Sequence, residues 1–70
     1  MNPQTKKLLN EISCSPHKEL EEVREKIEIV QEEGLNLIKA ANKEKNSKKS
    51  AYLFSQGDSL IEKLTKACMN

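Results

Sequence analysis

The chain has 70 residues and a net charge of +1, with 33% of residues charged, 36% hydrophobic and 3% aromatic. So short a chain is expected to form a single domain, 1–70, with a small core, because a domain of this size buries only about 60% of its unfolded surface. Scarce aromatics and plentiful Leu, Ile, Val and Ala argue against a sandwich or barrel, and the periodic apolar residues argue against disorder, so the expected class is all-α.

A first helix is predicted at about 3–13. Asn2 can cap it, Pro3 suits the first helical position, and Leu8, Leu9 and Ile12 share a face. Cys14-Ser15-Pro16 then interrupts the pattern, and Ser15 is a candidate cap for a second helix starting at Pro16.

The second helix, about 16–42, carries the clearest signal. Leu20, Val23, Ile27, Val30, Gly34, Leu37 and Ala41 recur at spacings of 3 and 4, as seam positions of successive heptads do. Residues 42–50 contain no apolar side chain and read as a turn. A third helix, about 50–68, places Leu53, Gly57, Leu60, Leu64 and Ala67 on one stripe and Phe54, Ile61 and Cys68 on a parallel one.

An antiparallel hairpin about Asn46 sets Gly34 level with Gly57, so each helix brings its only glycine into the seam. Facing glycines allow close backbone approach. The same residues also read as helix ends, with Gly34 after Glu33, and with Ser59 and Glu62 forming a capping box beyond Gly57. The continuous hairpin is favoured because the heptad register runs through both glycines. The short first helix is expected to cap the open end near Leu20 and Val23, and self-association is expected to complete a bundle. Cys14 and Cys68 should lie at that same end, both reduced.

Candidate chemistry is sparse. Cys14 and His17 have zinc-ligand spacing and Cys68 could join them, but no fourth Cys or His exists, and no metal or other cofactor is expected. Glu19, Glu21, Glu22, Glu25, Glu28, Glu32 and Glu33 crowd the start of the second helix, where they read as a solvated face. Lys39, Lys43, Lys45, Lys48 and Lys49 surround the turn. A lysine-rich tip can touch phosphates, but with no arginine and no stacking aromatic in it, a nucleic-acid partner is not the favoured reading. No stretch is apolar enough to span a membrane or to act as a signal peptide, so a cytoplasmic location is expected.

Two family resemblances bear on function. Leu20-Glu21-Glu22-Val23-Arg24-Glu25-Lys26-Ile27 resembles the opening helix of all-helical chorismate mutases. That resemblance puts Arg24 on a catalytic position, while the second catalytic arginine of that helix would fall near Ala41. Ser55-Gln56-Gly57-Asp58-Ser59 resembles the Ser-Gln-Glu-Leu-Asp motif of small helical-hairpin phosphatases that act on response-regulator aspartyl phosphate. Here the leucine is missing and Asp58 comes one residue early, which turns a helical side chain by about 100°.

The favoured expectation is a non-enzymatic protein–protein interaction module, such as a regulator, an inhibitor, an immunity-type protein or an assembly subunit. The phosphatase and a nucleic-acid accessory protein are the alternatives. The expected binding residues are the apolar ones outside the seam, Ile29, Leu35, Ile38, Tyr52 and Phe54, contacting a protein partner and in the simplest case a second copy of the chain.

Overall fold

A computed structural model describes residues 2–69. They form three helices, α1 (Pro3–Cys14), α2 (Glu21–Lys43) and α3 (Ser47–Met69), and α2 and α3 make the main packing contact. The fold is all-α, a helical hairpin with a short N-terminal helix.

The first helix begins as its residues suggest. The Asn2 side chain accepts a hydrogen bond from the Gln4 amide at 2.9 Å, and Pro3 occupies the first turn, where its missing N–H loses nothing.

The second helix starts at Glu21, not at Pro16, and its N-cap position is Leu20. Ser15 does not cap it, because its hydroxyl turns to the His17 carbonyl at 3.5 Å. Residues 15–20 are consumed in reversing the chain, and the Lys18 ammonium donates to the Ser15 carbonyl inside that turn. Leu20 is therefore exposed and takes no part in the seam. Glu21 and Glu22 lie in the first turn, where negative charge suits the helix dipole.

The hairpin turn is shorter than the polar run 42–50 implies. α2 continues to Lys43 and α3 starts at Ser47. Asn46 caps α3, its side-chain oxygen accepting from the amides of Lys48 and Lys49 at 3.0 and 3.3 Å. Lysine and serine can continue a helix, so lack of apolar residues does not end one. The Ser50 hydroxyl donates to the Ala41 carbonyl at 2.7 Å and ties the two helices together beside the turn.

Neither glycine ends a helix. No described residue has positive φ, and both glycines lie within their helices. They face each other across the hairpin: a Cβ built on Gly57 would sit 2.9 Å from the Gly34 carbonyl oxygen. A side chain at Gly57 would therefore push the two backbones apart.

The first helix does more than cap the open end. It runs antiparallel along α2 as far as that helix's middle, because the Thr5 hydroxyl donates to Glu33 at 2.5 Å and Glu11 pairs with Lys26 at 3.1 Å. Leu9 and Ile12 enter a core with Val30, Leu60, Leu64 and Ala67. Ile12 and Val30 are the fully buried large side chains, and burying each stabilises the fold by roughly 1.5–3 kcal/mol. The Thr5 hydroxyl is buried here with its partner supplied, and no buried side-chain nitrogen or oxygen is left unpaired among the described residues.

Candidate functional site

Helical geometry assigns every exposed apolar residue to a side of the hairpin. α1 marks one side: Glu33 on α2 meets it, and Lys63 on α3 lines a groove with Lys6 and Leu9. Each residue step along a helix turns the side chain by about 100°. Leu35 is two steps from Glu33 and Ile61 two steps from Lys63, so both point about 160° away from α1. Phe54, nine steps from Lys63, points about 180° away. These side chains gather on the face of the hairpin that α1 leaves bare.

Leu35 is 44% exposed and Phe54 47%, large fractions for side chains of this size. Ile38 and Ile61 are half-buried between them. Ile61 lies against Gly34, its Cγ1 2.9 Å from where a Cβ would be, and Ile38 lies against Gly57 in the same way at 2.7 Å. Ile38 is thus part of the hairpin seam and not outside it. It fills the space that the absent Gly57 side chain leaves, and shows only its remaining surface to solvent.

The other two expected binding residues lie elsewhere. Ile29 is 54% exposed but one turn before Glu33, so it faces the α1 side among glutamates. Tyr52 is 64% exposed and close to the rotational position of Lys63, beyond the end of α1. The five residues therefore divide: Leu35, Ile38 and Phe54 share a face, and Ile29 and Tyr52 do not join it. Ile61 belongs to that face. Its signal was the heptad step from Phe54, at a position expected to lie within the hairpin seam.

Polar candidates are dispersed. His17 pairs with Glu19 at 3.2 Å, and Cys14 and Cys68 are free thiols, the former exposed. Among the described residues no group of three His, Cys, Asp or Glu side chains could hold a metal ion. Arg24 is exposed and Ala41 buried. In the stretch Ser55–Ser59, Gly57 is locked in the helix crossing while Asp58 points into solvent. Lys6, Lys63 and Lys66 edge the groove between α1 and α3, with Leu9 and Ala67 at its floor. No described helix is long and apolar enough to cross a membrane.

No family model, no curated protein and no solved structure matches the chain.

Proposed function

We propose that this chain is a small protein-interaction module that binds through the α2–α3 face opposite α1 and performs no chemistry of its own. The observation that carries the reading is the joint exposure of Leu35 and Phe54 on a face whose half-buried members are Ile38 and Ile61. An aromatic set among aliphatic side chains is the usual core of a helix-mediated contact. The same reading keeps the protein in the cytoplasm, where the thiols of Cys14 and Cys68 stay reduced.

Phe54→Ser tests it. Phe54 is half exposed, so the helical circular-dichroism spectrum should be retained while association is lost. Unchanged association, with itself and with every protein captured from the native host, would sink the binding face. Steeply salt-dependent retention on DNA would instead move the function to the lysines of the turn. Loss of phosphate from a response regulator's aspartate would move it to Ser55–Ser59.

A further inference from the structure

We infer that the groove between α1 and α3 is a second binding site, separate from the face opposite α1, and that it takes an acidic amphipathic helix of a protein partner. The inference goes beyond the binding-face reading and uses none of its residues. It rests on the apolar floor of the groove, the single sign of charge around it, and the depth of the floor below the rim.

α1 runs antiparallel to α2, and α2 antiparallel to α3, so α1 and α3 lie side by side in the same direction. Leu9 and Ala67, both buried, form the floor between them. Lys6, Asn10 and Ser13 follow one another at spacings of 4 and 3 along the α1 rim, and Lys63 and Lys66 line the α3 rim. From Lys6 to Ser13 the rim rises roughly 10 Å, two turns of helix. The groove has a volume of about 530 Å³, which is room for side chains and not merely for a small anion.

Every charged residue lining the groove is a lysine. All three are exposed, and among the described residues neither Lys6 nor Lys63 pairs with a carboxylate. Lys66 is held by Glu62 at 3.5 Å, an exposed pair one turn apart that contributes little. Glu33 shares a neighbouring cleft with Lys63, but its carboxylate accepts from the Thr5 hydroxyl. Other acids lie apart: Glu21, Glu25 and Glu28 line a cleft at the start of α2. A chain whose net charge is only +1 therefore presents a locally cationic groove.

The recessed floor selects among anionic occupants. A lipid surface would meet the lysines and not reach Leu9 or Ala67. Nucleic acid would find no arginine and no stacking aromatic lining the groove. A single fatty-acid carboxylate would answer one lysine and leave the others. A helix laid between α1 and α3 puts an aliphatic ridge on the floor, as ridges fill grooves between packed helices. Carboxylates three and four residues either side of that ridge then meet both rims. Complementarity of this kind sets which partner docks more than how tightly.

The test is fluorescence anisotropy of a labelled synthetic helical peptide of about 15 residues, with leucines along one stripe and glutamates flanking it, titrated with the intact chain. Saturable binding that weakens as salt rises is expected. Lys6→Met with Lys63→Met keeps the apolar stems and removes two charges, and should weaken binding at least about fivefold while the helical circular-dichroism spectrum is retained. Replacing Lys6, Lys63 and Lys66 together by Glu should reverse the preference, so that the peptide with lysine in place of glutamate binds better. Phe54→Ser should leave peptide binding unchanged; loss there would put the peptide on the face opposite α1 and overturn the groove, whereas peptide binding that survives a failed binding face would leave the groove standing. Equal binding of a peptide with serine in place of leucine would overturn the apolar floor. Indifference to the lysine variants, or no saturable binding of the acidic peptide, overturns the proposal. So does retention on phosphatidylglycerol vesicles with the same lysine dependence as the peptide, which would make the partner a membrane surface.

Discussion

The two ends of the hairpin are held together differently. At the open end three helices meet, and large aliphatic side chains fill the space between them: Leu9, Ile12, Val30, Leu60 and Leu64. Beyond Glu33, where α1 stops, two helices remain, and the buried residues of their seam are Gly34, Ala41 and Gly57. A two-helix contact cannot surround a leucine. It can bring two backbones together at glycines and let isoleucines straddle the crossing, as Ile38 and Ile61 do. The open end thus gains stability from burial and the turn end from close approach. The turn end also leaves apolar surface uncovered, which is why the candidate binding face reaches into it.

The sharpest way to break this contrast is Ile12→Ala. Ile12 is fully buried, and such truncations cost about 2–5 kcal/mol. A core of this size supplies only ~3–5 kcal/mol, so most of the helical signal should vanish in thermal or urea titration. A loss under ~1 kcal/mol would mean that α1 is not part of the core.

The glycines sharpen the contrast at the other end. Gly57→Ala brings a methyl to 2.9 Å from backbone oxygen, which cannot retreat without separating the helices. Overpacking of roughly 1–3 kcal/mol should outweigh the ~1 kcal/mol that alanine gains in helix propensity, for a net destabilisation of about 1 kcal/mol. Gly34→Ala meets mainly the Ile61 side chain, with the Gly57 oxygen at 3.6 Å. Ile61 can turn aside, so the change should be within about 0.5 kcal/mol of neutral. Equal effects in urea denaturation would refute the asymmetry.

The smallest effect concerns the boundary between the two ends. Thr5→Val keeps the shape but leaves the half-buried Glu33 without its donor, and should cost about 1 kcal/mol. Amide exchange should quicken in α1 while the turn end is unchanged. Uniform quickening would show that the two ends are not separable.

Much of this architecture is legible in the sequence. The 3–4 spacing fixes the hairpin and its register, and each helix has only one glycine to contribute, so their meeting follows from the turn. What spacing cannot show is where a twelve-residue helix docks. α1 is placed by Thr5 on Glu33 and Glu11 on Lys26, pairs remote in sequence and ordinary in composition. The start of α2 is hidden for a related reason. Ser15-Pro16 has the local chemistry of a helix start, but the chain needs those residues to turn back along α1. Ile38 is misjudged because glycine leaves space that a neighbouring stripe fills, and a wheel drawn for one helix does not show that space.

The brief connection between Lys43 and Ser47 has a consequence for the order of assembly. Closing it requires the least loss of chain entropy of any long-range step, so the helices first meet there. Yet the fully buried seam residues of that end are only Gly34, Ala41 and Gly57, with Leu37, Ile38 and Leu53 half-buried, so that meeting yields less burial than the open end does. Pairing must travel from Asn46 past the glycine crossing before Val30 and Leu60 are reached and the gain exceeds the loss. The rate-limiting state should therefore contain the turn and the crossing already formed, with α1 still undocked. Gly57→Ala should slow folding, whereas Thr5→Val should chiefly hasten unfolding, in stopped-flow chevrons. The reverse pattern would place the nucleus at the open end.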